Sequence, residues 1–231
     1  MVFGLLMELE DHNCQSTAEA LGHAGPHRLQ HLLSRAAWDD QQVLERAAAW
    51  ACGRLDDGEA VLIVDETADA KSSADAVGAS RQYSGTLGGI ALCQVAVTLT
   101  CASGRGHALM DRALYLPEAC AGDEEHRELA GIPDEVMFAT KPQLAGELPE
   151  RAHQRGIRAA FVTGDEVYGG RDLRQAIRTR STGYVLAVRS YLIDGFMIFT
   201  WQGTETCLKN SLLPSRGSIR SSRAFGVIVC R

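Results

Sequence analysis

The sequence predicts an α/β fold with a mixed sheet, in which three antiparallel strands come first and two parallel strands follow. The continuous apolar run AVLIV at 60–64 is typical of a strand buried on both faces. Apolar and polar residues alternate at 91–102, which indicates a second strand, and glycine-containing turns flank it. Helical patterns precede the later strands at 158–164 and 184–188, as parallel crossover connections require.

A helical segment precedes the first strand and covers about residues 1–58. Residues 16–54 have helical patterning, and Asp39 or Asp40 is placed to cap the last helix. The sheet region, 59–189, is expected to form the core of the molecule. Its third strand, HALMDRALYLP, follows the turn SGRG and completes an antiparallel meander.

Two helices separate the remaining strands. Thr140 and Pro142 have the character of a helix cap and a first-turn proline, and Gly156 is a suitable stop. Pro149 falls inside this helix and is expected to kink or split it. A second helix is predicted at 171–180.

The predicted order is therefore β-β-β-α-β-α-β, preceded by the helical segment. Few folds begin with a meander and end with parallel crossovers, and the ribonuclease-H-like fold, with strand order 3-2-1-4-5, is the leading one. Its first and fourth strands are parallel neighbours. These strands are expected to end at Asp65 and Asp165, so the two carboxylates should lie together where open α/β sheets place their sites.

Two carboxylates at adjacent strand ends repel each other unless a cation lies between them. Mg²⁺ suits such a site, because it takes one or two carboxylates and completes its shell with water and phosphate oxygens. A pair of such ions can promote in-line displacement at a phosphodiester. The alternative is that Asp65 and Asp165 are turn residues, where aspartate is common. The pattern alone leaves both possibilities open.

Five stretches of the chain resemble one known family. IVDET, RQYSGTLGGIALCQVAVTLT, DRALYLPE, AGIPDEVMFATKPQLA and VTGDEVYG are similar to the catalytic domain of DDE transposases from bacterial insertion sequences. The resemblance runs from about Gln15 to Val188. It implies a ribonuclease-H-like fold that uses an Asp-Asp-Glu triad with Mg²⁺ or Mn²⁺ to cut and join DNA ends. It also implies that Asp65 and Asp165 are the first two acids, catalytic and metal-binding.

The third acid of the resembling family lies on a helix beyond the last strand recognised here. After about Arg189 the resemblance stops, and residues 190–231 form an atypical basic tail. A DNA-contacting arm or translation in a shifted frame would each explain that tail. We therefore expect a truncated or frameshifted core that is inactive alone. None of the later acids is a convincing substitute for the glutamate: Glu166, Asp172, Asp194 and Glu205.

Four other side chains are candidates for DNA contact. Arg81 and Tyr83 precede the SGT turn, and an arginine beside an aromatic residue is a common arrangement on single-stranded DNA. Lys71 and Arg105 are candidates for phosphate contacts. A surface role without DNA is an equally open interpretation for all four.

Several further residues favour structural roles. Asp111 and Arg112 point to opposite faces of a strand, so one is expected to be inward and ion-paired. The histidines four apart in PHRLQHLL, His27 and His31, lack a third metal ligand nearby. Tyr168 is expected to pack within a turn. The seven cysteines lack ligand spacing and are expected to be structural.

Composition limits the class of protein. No run approaches the roughly 18 apolar residues of a membrane span, and the opening MVFGLLMELED lacks the basic region of a signal peptide, so a cytoplasmic protein is expected. The net charge of −6 is unfavourable for DNA binding in general. The tail is an exception, because residues 191–231 hold five basic and two acidic side chains.

Two other functions compete with an active nuclease. A phosphatase with an aspartate nucleophile also places an acid after an apolar strand, but it needs a second acid where this chain has Thr67. A non-catalytic transposase remnant is the stronger rival. Such a protein would bind DNA ends, a second copy of itself or an intact transposase without cutting.

Overall fold

The computed structural model describes residues 2–180, 182–189, 206–209 and 225–230. The chain divides into two compact units, Met1–Val43 and Leu44–Arg231. This division precedes the predicted boundary at residue 58. The last helix of the helical segment accounts for the difference, because its buried alanines belong to the core of the second unit.

The first unit contains three short helices: α1 (Val2–Leu5), α2 (Cys14–Ala20) and α3 (His27–Ser34). Asn13 caps α2, because its side chain accepts hydrogen bonds from the first-turn backbone while the Ser16 hydroxyl is bonded to the Asn13 N–H.

Helix α4 (Asp40–Leu55) begins in the last residues of the first unit and continues into the second. The other helices of the second unit are α5 (Glu118–Ala121), α6 (Glu124–Ala130), α7 (Lys141–Gln154) and α8 (Arg171–Arg178).

The described strands of the second unit form one eight-stranded sheet with both parallel and antiparallel pairs. They are β1 (Val61–Ala70), β2 (Ser80–Ser84), β3 (Gly89–Ser103), β4 (Gly106–Tyr115), β5 (Phe161–Gly164), β6 (Gly183–Arg189), β7 (Thr206–Lys209) and β8 (Phe225–Cys230).

The predicted fold is confirmed by the strand order. Strand β3 lies antiparallel between β1 and β4, and β1, β5 and β6 are parallel neighbours. The five predicted strands therefore have the spatial order 3-2-1-4-5 of a ribonuclease-H-like sheet. Three strands were not predicted: β2 pairs with the start of β3, and β8 and β7 extend the sheet beyond β6.

The first strand is longer than predicted. It was expected to end at Asp65, but β1 continues to Ala70 because β3 keeps pairing with it as far as Ala70 and Cys93. Only the parallel pairing with β5 ends at the predicted place, where Val64 is the partner of Gly164. Asp65 thus follows the parallel ladder while it is still in an antiparallel one.

Helix α7 begins and ends as predicted. Thr140 forms a capping box with Gln143, and Gly156 adopts a left-handed conformation with φ 81° after the last turn. Of the two effects expected of Pro149, the split is wrong, since α7 is one helix from Lys141 to Gln154 and Pro149 is buried in it, while the kink stays a prediction. The proline removes one backbone hydrogen bond, while buried neighbours on the same helix hold it against the sheet.

The core lies on one face of the sheet. Alternate residues of the central strands are buried there, and small and aliphatic side chains of α4, α7 and α8 pack against them. On β1 this core face carries Leu62, Val64 and Glu66, so Asp65 points to the other face. The helical side chains of the core are Ala48, Ala51, Leu55, Ala145, Leu148, Ala152, Leu173 and Ile177.

Most of the predicted tail, 190–231, lies outside the described residues. Its two described segments are β7 and β8, and β8 pairs antiparallel with β6. The two interpretations of this basic tail, a DNA-contacting arm or translation in a shifted frame, stay predictions.

Candidate metal centre

Asp65 and Asp165 lie side by side at the end of the parallel pair of β1 and β5. Each follows the last residue of the ladder, Val64 in β1 and Gly164 in β5. Because neighbouring strands are about 4.8 Å apart, the backbones of the two aspartates are adjacent at this edge of the sheet. Both residues are exposed to solvent. The two acids predicted to be neighbours are therefore neighbours.

Backbone hydrogen bonds orient both carboxyl groups. The Glu66 N–H donates to Asp65 Oδ1 at 2.7 Å, and the Val167 N–H donates to Asp165 Oδ1 at 2.9 Å. The Thr98 hydroxyl of the adjacent strand donates to the Asp65 carbonyl oxygen at 3.1 Å. These bonds engage only one oxygen of each carboxylate.

The electrostatic environment of Asp165 favours a cation. Partial burial raises the pKa of its carboxyl above the ordinary value, and the charges of Glu166, Asp65 and Glu66 raise it further, against a lowering by the Val167 N–H. The negative charges of these acids repel one another, and a bound divalent ion would offset that repulsion. Carboxylate oxygens are also the ligands that Mg²⁺ and Mn²⁺ prefer. The residues present therefore fit such an ion.

A second layer of contacts lies beneath the pair, on the core face. Lys141 Nζ, at the start of α7, is 2.9 Å from Glu66 Oε2. The hydroxyl of Tyr168, a fully buried residue, donates to the same oxygen at 3.3 Å. Glu66 is thus engaged by a cation and a hydroxyl next to Asp65. Sequence reasoning missed Glu66 and Lys141 as part of the site, and it correctly expected Tyr168 to pack within the turn.

One comparison with known proteins decides the family. The model described as DDE superfamily endonuclease matches residues 1–192 of the 231-residue chain. The chain belongs to this family. The resemblance to DDE transposases that the sequence motifs carry is thereby confirmed.

The chain is also similar to one curated transposase and to one solved transposase structure. A probable transposase for insertion sequence element IS701 from Microchaete diplosiphon is 24% identical over 190 residues. That match covers 81% of the DDE chain and 47% of the relative, so the chain spans about half the relative's length. The solved structure is the Drosophila P element transposase strand transfer complex, which is 12% identical. The match covers 76% of this chain and 38% of the transposase chain, and its TM-score of 0.24 is too low to support the family assignment.

The acids near Asp65 and Asp165 do not complete a metal-binding group among the described residues. Within them, no group of three or more His, Cys, Asp or Glu side chains is placed to hold a metal ion. Glu66 belongs to the core face and Glu166 follows Asp165 in the turn. Asp194 and Glu205 lie outside the described residues, as does the side chain of Asp172.

Three of the four candidate DNA contacts of the DDE chain lie towards the carboxyl end of β1. Arg81 and Tyr83 pair with Leu92 and Ile90 of β3, and both are exposed on the face that carries Asp65. Arg81 pairs six residues along β3 from the partner of Asp65, roughly 20 Å away. Lys71 follows β1 and is ion-paired with Asp69 at 2.6 Å.

Arg105 lies at the opposite end of the sheet. It sits in the turn between β3 and β4, and its guanidinium donates to the Asp56 carbonyl oxygen at 2.9 Å. The structure therefore does not bring Arg105 to the aspartate pair.

The remaining candidates of the DDE chain have structural environments. Asp111 is fully buried and forms ion pairs with Arg151 at 2.8 Å and Arg155 at 2.9 Å, so it is the inward, ion-paired member that the sequence predicted for Asp111 and Arg112 without saying which. His27 and His31 both lie on α3. Five cysteines are free thiols in the described residues, and three of them are buried. No described helix is long and apolar enough to cross a membrane.

Proposed function

We propose that this chain carries the metal-binding part of a transposase active site, in which Asp65 and Asp165 hold a divalent ion, Mg²⁺ or Mn²⁺. The adjacency of the two aspartates at the end of the β1–β5 ladder supports this function best. Partial burial and, to a smaller extent, the neighbouring acids raise the pKa of the Asp165 carboxyl, which adds a reason for a cation to bind. When bound, the ion would activate an attacking oxygen and stabilise the leaving oxygen at a phosphodiester.

The substrate we propose is DNA, specifically the ends of a mobile element. The face that carries Asp65 also carries the exposed Arg81 and Tyr83. An arginine holds a phosphate, and an exposed tyrosine ring stacks on a base. Lys71 can add a phosphate contact if its ion pair with Asp69 is replaced by one with a DNA phosphate.

We further propose that the 231 residues alone do not cut or join DNA. The described residues bring only two carboxylates together in a metal-binding position. Ions held by two aspartates lack the anchoring that near-octahedral Mg²⁺ coordination requires. Loss of one such electrostatic element costs on the order of 10²–10³ in rate. The alternative, a protein that only binds DNA or an intact transposase, shares this expectation but does not require a metal at Asp65 and Asp165.

DNA binding and cleavage assays test the proposal together. Binding of labelled oligonucleotides is measured by fluorescence anisotropy with Ca²⁺ present, and cleavage is measured on gels with Mn²⁺. We expect binding that Tyr83→Ala weakens roughly tenfold, with Arg105→Ala as the control that leaves affinity near that of the wild type. We expect no cleavage product. If Arg81→Ala and Tyr83→Ala leave the DNA affinity unchanged, these residues do not form the proposed DNA-binding surface. Robust cleavage that Asp165→Ala abolishes would contradict the proposal that the 231 residues alone are inactive.

A further inference from the structure

Four of the sequence stretches that resemble the family meet at one point beneath the aspartate pair. Glu66 comes from IVDET, Tyr115 from DRALYLPE, Lys141 from AGIPDEVMFATKPQLA and Tyr168 from VTGDEVYG. Lys141 Nζ contacts both carboxylate oxygens of Glu66, at 3.0 and 2.9 Å, and lies 5.4 Å from the centre of the Tyr115 ring. Tyr168 completes the cluster by its hydroxyl bond to Glu66. None of these four side chains has a part in the function proposed above.

The position of Lys141 needs an explanation, because it is the first residue of α7. The positive end of the helix dipole disfavours a lysine there. Its side chain and that of Glu66 are only 19% and 22% exposed, so the pair is shielded from solvent. The ion pair is partly buried and lies at an unfavourable helix position, so it does not serve the stability of α7. A better explanation is that it fixes the residues around Glu66.

The cluster joins the two segments that carry the aspartates. Glu66 is the residue after Asp65 in β1, and Tyr168 is three residues after Asp165 in the turn that leads to α8. The Tyr168 N–H also donates to the Asp165 carbonyl oxygen at 3.2 Å. The bond from Tyr168 to Glu66 therefore ties the turn of Asp165 to the strand of Asp65, while Lys141 ties both to α7.

We infer that Glu66, Lys141 and Tyr168 are positioning residues that fix the separation of Asp65 and Asp165. This inference rests on the proposed metal site. In this arrangement Glu66 does not bind the ion, because its carboxylate is turned to the core face and is already held by Lys141 and Tyr168. Loss of a group that orients a metal ligand from outside the coordination sphere typically lowers metal affinity by about 10–100-fold.

The substitution Tyr168→Phe tests this inference, because it removes only the hydroxyl. Tyr184→Phe is the matched control, since Tyr184 is equally buried and its hydroxyl accepts a hydrogen bond from Arg178 at the other end of the core. Mn²⁺ affinity is measured by electron paramagnetic resonance and stability by thermal unfolding. We expect Tyr168→Phe to weaken Mn²⁺ binding about tenfold, Lys141→Met to do the same, and Tyr184→Phe to leave affinity unchanged at a similar loss of stability.

Wild-type Mn²⁺ affinity in Tyr168→Phe would overturn the inference. So would an equal loss of affinity in both tyrosine variants, since this would reflect stability alone. A second measurement, amide hydrogen exchange without metal, separates this inference from the proposed function. Tyr168→Phe should speed exchange several-fold at Val167 and Tyr168 but not elsewhere in the core. If the wild type binds no Mn²⁺, the proposed function fails, and unchanged exchange at these two amides would overturn the positioning role as well.

Discussion

Gly164 approaches Val64 so closely that a Cβ atom at Gly164 would lie 3.3 Å from the Val64 carbonyl oxygen. The same Cβ would meet Tyr168 Cβ at 3.3 Å and Leu186 Cδ2 at 3.4 Å. A side chain at this position would have to displace β1, the turn after β5 or β6. The glycine therefore permits the spacing at which Asp65 and Asp165 become neighbours.

Gly164→Ala is expected to destabilise the protein by roughly 1–2 kcal/mol, the typical cost of overpacking a well-packed core. Chemical denaturation measures this change. The control is Gly146→Ala in α7, where a Cβ would meet nothing within 4 Å. That variant should gain up to about 1 kcal/mol from the higher helix propensity of alanine. Equal effects of the two substitutions would show that the approach of β5 to β1 is not tight.

Asp111 should be the most sensitive ion-paired residue away from the site. Asp111→Asn leaves Arg151 and Arg155 without their shared buried carboxylate, and we expect a loss of roughly 2–3 kcal/mol in the free energy of unfolding. Glu147→Gln removes a more exposed carboxylate, 3.9 Å from the same Arg151, and should cost less than about 1 kcal/mol. A similar loss in both variants, by denaturant titration, would argue against a special role for the buried pair.

Asp165 should reduce the stability of the metal-free protein near neutral pH. Because its pKa is raised in the folded state, the folded protein binds more protons than the unfolded chain above the ordinary aspartate pKa of 3.8. Stability is therefore lost as the pH rises from that value through the raised pKa. Asp165→Asn removes this loss, so its melting temperature should exceed that of the wild type at pH 7, and the difference should disappear towards pH 3. A variant less stable than the wild type at pH 7 would contradict this electrostatic picture.

The sequence predicted the sheet well because local patterns and one topological rule were sufficient. The apolar run before Asp65 and the alternation around Val97 define β1 and β3, and the helix between the later strands requires β5 and β6 to be parallel. The end of β1 could not be predicted, because after Asp65 the strand is held by pairing with β3 rather than by its own apolar residues.

Of the candidate site, only Asp65 and Asp165 could be predicted from the sequence. Asp65 and Asp165 each follow an apolar strand, which is a signal that a single sequence contains. The contacts of Glu66 with Lys141 and Tyr168 span 75 and 102 residues, and no local pattern encodes them. The presence of each residue in a separate motif was the available signal, but only the fold shows that the motifs meet.

Mn²⁺ binding by the wild type and three single variants tests the central claim most directly. Asp65→Asn and Asp165→Asn each remove one proposed ligand, and Asp69→Asn removes an acid on the same strand that is paired with Lys71 and 76% exposed. Calorimetric titration should show weak binding by the wild type and by Asp69→Asn, and loss of binding in both Asp65→Asn and Asp165→Asn. Wild-type affinity in Asp165→Asn, or an equal loss in Asp69→Asn, would contradict a metal site shared by Asp65 and Asp165.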